Sequence, residues 1–346
     1  MPRPTIADVA RSAGVSISTV SRVLSGRTEY IRDDKIARVK SAIAELSYRP
    51  SSLARSLVSK RTQTIGLLVS DVGNPYYADV IHGVEDRAVA EGYEIFLCNT
   101  NYSEGRGLAF IQSLSDKHVD GMLIMSSNMS DGWIVELSRG RVPAVIVDWQ
   151  STQALDGILG VITIDFASGI DAAAEHLVAL GHRRFAHVSG PLHLATARWR
   201  RDAFLASVEA RGIDPSGVAI IEGDLRTEGG RRAMAAVLEL RRQPTAIFAA
   251  NDLTAIGLAW AARDRGVRVP EDMSIVGLDG ISLGAEISPS LTTVAIPRYE
   301  VGSLAMSMLL ELQTIQGEEK VGVCRAEITT RLLLRQSTGP AAGDRE

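Results

Sequence analysis

Cysteine is scarce in this chain of 346 residues: Cys98 and Cys324 are the only two. They lie far apart and share no ligand-type spacing, so no disulfide framework and no metal site is expected, and each reads as a small apolar residue in or near a strand. No stretch has the length and apolarity of a membrane span. The opening MPRPTIADVA lacks the apolar run of a secretory signal, so the chain is expected to stay in the cytoplasm. Short internal repeats are absent too. What is present is 45% hydrophobic residues over a length that exceeds one ordinary core.

Charge is unevenly placed. Residues 1–63 hold 12 Lys and Arg against 5 Asp and Glu, while the remaining 283 residues hold 25 against 36. A basic head on an acidic body favours phosphate contact at one end only, and points to nucleic acid.

Within the head, TIADVARSAGVSISTVSRVL (Thr5 to Leu24) has the pattern of two short helices around a tight turn. Thr5 can cap the first, with Ala7, Val9 and Ala10 facing inward; Gly14 supplies a left-handed turn residue; Ser16 caps the second, whose Val20, Val23 and Leu24 face inward. This spacing predicts a helix-turn-helix. A recognition helix offers its first turns to base edges, and the outward residues there are Ile17, Ser18 and Arg22. Arg can pair bidentately with guanine, Ser reaches most bases, and Ile suits a thymine methyl. The hydroxyls of Thr5, Ser16, Thr19, Ser21 and Ser25 suit phosphates. Asp33 to Leu46 carries Ile36, Val39, Ile43 and Leu46 at helical spacing, a third helix with Asp33 as its expected cap. Ser51 to Leu57 reads as a helix of about two turns, too short to stand without a partner surface.

From Thr64 onward, strand-length apolar runs alternate with amphipathic segments. Strands are predicted at Ile65–Val69, Ile95–Leu97, Met122–Met125 and Val145–Val147, with a short edge at Val161–Ile164; the pattern then restarts with strands at Phe185–Val188, Ala219–Ile221, Ala246–Ala249 and Ser274–Gly277. Two α/β halves of this kind make two parallel-sheet subdomains with a cleft between them. Open sheets hold ligands just after their strands, which directs attention to Tyr76 and Tyr77, either stacking faces with hydroxyl tips or helix-start core aromatics, and to Asp148 and Trp149, either a polyol-binding pair or a turn Asp with a rim Trp.

An enzyme is not expected. Gly280-Ile281-Ser282-Leu283-Gly284 follows a strand in the G-x-S-x-G pattern, yet none of the six histidines lies after Ser282, where that hydrolase arrangement needs one. Pro289 also truncates any following helix. His182 and His187 have no metal-like partner set, and Gly105-Arg106-Gly107 lacks the third glycine of a dinucleotide turn. No cofactor or metal is therefore expected. The alternative from another class, a solute-binding protein without DNA function, would need a signal segment and no basic head.

The segments VSISTVSRVLSG, ELSYRPSSLARSL, RTQTIGLLVSDVGNPYY, LGHRRFAHVSGPL, PTAIFAANDLTAIGLAWAARDRGVRVPEDMSIVGLD and LTTVAIP, in this order, resemble the lactose-repressor/galactose-repressor family from about Thr5 to about Ser337. The resemblance implies an N-terminal all-α helix-turn-helix headpiece (1–48), a hinge helix and linker (49–62), and a periplasmic-binding-protein-like core. Its N-subdomain would hold 63–163 plus 297–319, its C-subdomain 164–293 plus 323–334, with crossings near Ile164, Thr293 and Val321, and 336–346 would form a flexible tail. It further implies that Ile17, Ser18 and Arg22 read bases, that Leu57, with Ala54 and Arg55 beside it, wedges into the minor groove, and that the cleft binds a small effector through Thr196, Arg200, Asn251 and Asp279 together with the tyrosines and the Asp148–Trp149 pair. Asp252 ranks lower, as the expected cap of the following helix. Two departures are visible: Ile17-Ser18 differs from the usual pair, and Leu194 stands where purine-binding members carry an arginine. The partners implied are a pseudopalindromic operator DNA, a sugar or sugar derivative, and a second copy of the chain in a homodimer, since RQSTGPAAGDRE replaces a tetramerising leucine heptad. Inducer and corepressor action remain equally open.

Overall fold

The computed structural model describes residues 4–49, 61–126, 129, 131–139, 142–148, 159–314 and 323–342. The chain divides into two compact units, 1–62 and 63–346.

The first unit contains α1 (Ile6–Ala13), α2 (Ile17–Leu24) and α3 (Asp33–Glu45). Helix α1 starts at a capping box in which Thr5 and Asp8 each satisfy the other's backbone amide, and it stops at Gly14 in the left-handed region, φ 63°. Ser16 caps α2 by accepting from the Thr19 amide at 3.1 Å. Val9, Ala10, Ala13, Val20, Val39 and Ala42 form the small core where the three helices meet. The expected cap of α3 is displaced by one residue. Arg32 occupies the cap position without a side-chain bond, and Asp33 and Asp34 instead fill the first turn, where negative charge favours the helix dipole. The hinge residues Ala54, Arg55 and Leu57 lie outside the described residues.

The second unit has two lobes. In chain order come β1 (Thr64–Val69), α4 (Tyr76–Ala90), β2 (Glu94–Asn99), α5 (Glu104–Asp116), β3 (Gly121–Met125), α6 (Asp131–Arg139), β4 (Ala144–Val147), β5 (Leu159–Asp165), α7 (Phe166–Ala179), β6 (Phe185–Ser189), α8 (Ala195–Glu209), β7 (Ala219–Glu222), α9 (Thr227–Leu238), β8 (Ala246–Ala249), α10 (Asp252–Asp264), β9 (Ser274–Asp279), α11 (Leu283–Glu286), β10 (Thr292–Ala295), α12 (Arg298–Thr314), β11 (Cys324–Thr329) and β12 (Arg331–Leu333). One sheet runs β11-β5-β4-β3-β1-β2 and the other β12-β10-β9-β8-β6-β7. All neighbours are parallel except β10 and β12.

Parallel strands are buried on both faces, and β1 shows it: Ile65, Leu67 and Val69 enter one cluster and Leu68 the other. Helices pack closely at matched places in the two lobes. A Cβ on Gly83 or Gly302 would collide with backbone of the facing helix at the α4–α12 contact, and one on Gly230 or Gly257 would do the same between α9 and α10.

Four expectations are corrected. Strand β5 is interior rather than an edge, because β11 pairs along its whole length from Cys324–Gly160 to Thr329–Asp165. Residues 323–329 therefore belong to the first lobe, and the third crossing falls at Thr330 rather than near Val321; the Thr330 hydroxyl donates to the Asp165 carbonyl at 2.7 Å and ties two crossings together. The second crossing follows Ala295, since Thr292–Ala295 still pairs with β9. Finally, the segment from Gln336 is no frayed tail as far as it is described. Ser337 is buried and donates to the Ile275 carbonyl at 2.6 Å, the Gly339 carbonyl faces the His182 Nε2 at 3.0 Å, and the Ala341 amide donates to the Leu180 carbonyl at 2.8 Å.

Candidate functional site

On α2 the structure presents Ile17, Ser18 and Arg22 to solvent, with Ile17 51% exposed. An exposed isoleucine on a helix otherwise packed through Val20 has a free apolar surface to offer, and Arg22 has a guanidinium clear of the core. The surrounding hydroxyls already serve the helix. Ser16 Oγ lies 2.8 Å from both Ser18 Oγ and Thr19 Oγ1, Ser25 donates to the Arg22 carbonyl at 3.1 Å, and Thr5 donates to the Asp8 carboxylate at 2.7 Å. Thr19 and Ser21 are half-buried. Phosphate contacts from this set would share hydroxyls that also fix the helix starts.

The second candidate site is a cavity of about 50 Å³ between the lobes of the core. It is lined by Tyr76, Tyr77, Asp148, Arg200, Asn251 and Asp279, six of the eight residues expected in the cleft. Thr196 does not line it, and Trp149 lies outside the described residues. The sequence left unmarked Tyr102, Met125, Ser126, Val147, Phe166 and Leu225, which with Asn74, just before the two tyrosines, complete the lining. Ser126 follows β3 directly, and Tyr102 and Leu225 lie in the turns just after β2 and β7, so the rule of looking after strands would have found all three.

Local structure explains each wall. Asn74 accepts from the Tyr76 amide at 2.9 Å and turns the chain into α4, setting Tyr76 and Tyr77 edge to face with ring centroids 5.0 Å apart. Asp148 leaves β4 in the left-handed region, φ 59°. Burial pushes its carboxyl up to about 6, against the opposing pull of Arg200. Asp279 at the end of β9 is raised above the carboxylate range chiefly by burial, with Arg200 opposing and Asp252 reinforcing. Arg200 is the one cation on this lining among the described residues. It donates to the Ala250 carbonyl at 3.1 Å and lies over the Phe166 ring at 4.5 Å, but its buried Nε has no partner among the described residues. An unpartnered buried donor is costly, so Nε is poised for an acceptor.

Asn251 lines the cavity and also takes the capping role expected of Asp252. Asn251 caps α10, accepting from the Thr254 amide at 2.9 Å, and its amide nitrogen donates to the Leu225 carbonyl at 2.9 Å. Asp252 is fully buried and accepts from Thr293 Oγ1 at 2.6 Å and the Ile281 amide at 2.8 Å, which fixes β10 and the loop after β9. Trp199 packs edge-on against Phe166 at 5.7 Å. His182 is held by Thr245 and Ser274, and His187 by the Phe248 carbonyl, as structural residues.

A helix-turn-helix unit and a two-lobed α/β core with a polar cavity between its lobes define a ligand-regulated DNA-binding protein. Known proteins agree. The family model for bacterial regulatory proteins, lacI family, matches residues 5–51, and that for a periplasmic binding protein-like domain matches 174–338. The HTH-type transcriptional repressor PurR of Serratia proteamaculans is 36% identical over 334 residues, 96% of each chain, and that of Proteus mirabilis is 37% identical over the same shares. The structure of the lac repressor dimer bound to operator and the anti-inducer ONPF superposes with a TM-score of 0.84 at 27% identity, covering 98% of this chain and all of that one. A LacI family regulator from Enterococcus faecium with bound ribose superposes at 0.71 and 28% identity, covering 80% of this chain and 99% of that one. The chain belongs to the lacI family of bacterial regulatory proteins. It is a DNA-binding transcriptional repressor regulated by a small-molecule effector, and its relatives are repressors rather than enzymes.

Proposed function

We propose that this repressor binds a pseudopalindromic operator as a homodimer, reading bases with Ile17, Ser18 and Arg22, and that the cavity between its lobes takes a sugar or sugar derivative. The observation that carries the effector reading is the lining itself: an arginine with an unpartnered Nε, two carboxyls, an asparagine and tyrosine faces converge on one cavity. Such a set matches vicinal hydroxyls on a ring with one polar and one apolar face. Leu194 is buried in an apolar cluster with Leu225 and offers no guanidinium to a purine. Ribose accompanies the Enterococcus faecium structure and cellobiose a CelR structure of 29% identity and TM-score 0.70, covering 97% of this chain and all of that one, which supports the same ligand chemistry.

The dimer reading is supported by two sheet edges. Strand β2 closes one sheet with Phe96 45% and Leu97 46% exposed, and β7 closes the other with Ile220 exposed. Apolar edge strands invite pairing, and a two-fold dimer matches a two-fold operator. Leu57, with Ala54 and Arg55 beside it, would enter the minor groove at the operator centre, where the cost of unstacking is offset by the bend. Operator binding and effector binding are then linked through one core equilibrium, and a coupling of ~1–3 kcal/mol changes affinity 5–150-fold. Such a protein works in the cytoplasm.

Selection of fragmented genomic DNA by the purified protein tests this. One enriched pseudopalindrome, bound again in the presence of pentoses, hexoses, cellobiose or a purine base, should respond to a sugar. Response to the purine alone would overturn the ligand class; salt-sensitive binding with no shared site would overturn the base-reading assignment.

A further inference from the structure

Arg226 joins the two lobes beside the cleft. Arg226, in the loop between β7 and α9, donates from Nε and Nη2 to Asp71 Oδ2 at 3.1 and 2.8 Å, and from Nη2 to Asn101 Oδ1 at 3.0 Å. Asp71 follows β1 and Asn101 follows β2, both on the opposite lobe. The other Asp71 oxygen accepts from the Gly73 amide at 3.0 Å, so this carboxylate is held in place before Arg226 reaches it.

Two members of this clasp, Asn101 and Arg226, are sequence neighbours of residues that line the cavity. Tyr102 follows Asn101, and Leu225 precedes Arg226. At these corners Tyr102 (φ 55°) and Leu225 (φ 63°) are in the left-handed region that such side chains rarely occupy, beside Asn101 (φ 49°), a residue type that tolerates it. Tyr102 packs against the cluster that Leu225 forms with Leu194, Ala197 and Ala250 on the other lobe. Asn251 holds the Leu225 carbonyl from behind. Backbone strain on both sides of the gap is thus matched by one polar clasp outside and one apolar plug inside.

We propose that Arg226 is the positioning residue that closes the cleft, holding Tyr102 and Leu225 together over the bound effector by pairing with Asp71 and Asn101. The proposal rests on the cavity being the effector site. A ligand enters only while the clasp is open, so Arg226 sets how long a ligand of any chemistry stays enclosed.

Hydrogen exchange of the full-length protein without ligand tests the clasp, comparing wild type with Arg226→Ala, Asp71→Asn and the double variant. Asp71→Asn keeps an acceptor for the Gly73 amide. Each single variant should speed exchange in both 99–104 and 221–227 by roughly 2- to 5-fold, the range open to an ion pair partly exposed to water, and the double variant should add little. Wild-type exchange in the variants, or a change in Arg226→Ala confined to 221–227, would overturn the proposal. A parallel arm uses millimolar D-ribose, cellobiose and a purine base as probes on wild type. Clasp effects with protection of the lining by the purine alone would leave the clasp standing and remove the sugar reading, whereas sugar protection with unchanged exchange in the variants would do the reverse.

Discussion

The guanidinium of Arg200 lies 4.5 Å over the ring of Phe166, so the first residue of α7 forms a platform for a cation that lines the cavity. This stacking and the Nη1 bond to the Ala250 carbonyl hold the guanidinium in place, while the buried Nε has no partner among the described residues. Replacing Arg200 by Ala should abolish the effector response of operator binding without weakening operator binding in its absence by more than about 2-fold. Arg200→Lys should fail to rescue it, because an ammonium lacks the planar fork that both stacks and donates twice. Titration of effector against a labelled operator, by fluorescence anisotropy, separates these outcomes.

Arg22 stands clear of the headpiece core, and its loss should leave the fold intact. Arg22→Ala is expected to cost ~1–3 kcal/mol of operator binding and to relax preference at one symmetric pair of positions. Uniform weakening across all operator variants at fixed salt would assign Arg22 to the backbone instead.

Asp148 makes core stability depend on pH. Burial raises its folded pKa to about 6 from an unfolded value of 3.8, so the folded state holds the proton more tightly. The resulting contribution is fully present below about pH 4 and is lost as pH rises through 6. Asp148→Asn removes the titration and suits the left-handed backbone, φ 59°, since Asn tolerates that region. Wild type and variant should unfold alike near pH 4. At pH 7 the variant should be more stable by roughly 1–3 kcal/mol, read as the urea midpoint of the core transition.

The C-terminal strap closes the second lobe. Ser337 donates to the Ile275 carbonyl at 2.6 Å and accepts from the Thr292 amide at 2.8 Å, joining β9 to β10 from outside the sheet. Ser337→Ala leaves the Thr292 amide without this acceptor and should destabilise the core by ~1–3 kcal/mol. Truncation after Leu334 should cost more, and limited proteolysis of wild type should spare the bonds through Ser337.

Much of the headpiece was legible because its determinants are local. A cap, a left-handed glycine and an inward stripe lie within one or two turns of each other, so the pattern from Thr5 to Leu24 gives both helices and the exposed trio Ile17, Ser18 and Arg22. The cap of α3 was misplaced because Asp suits both the cap and the first turn. In the core, apolar runs located the strands, but the partner of a strand is set by the path of the whole chain. Hence β5 looked like an edge until β11, some 160 residues later, paired with it.

The amino-acid order alone determined a basic helix-turn-helix head, two α/β halves and a cleft whose polar residues follow strands, since each depends on periodicity and neighbouring turn chemistry. Only the tertiary structure decided that Asn251 rather than Asp252 caps α10, that Tyr102 and Leu225 complete the cavity, and that Arg226 reaches Asp71 and Asn101 across it. Those relationships join residues of separate strands and opposite lobes, and no spacing along the chain encodes a distance between them.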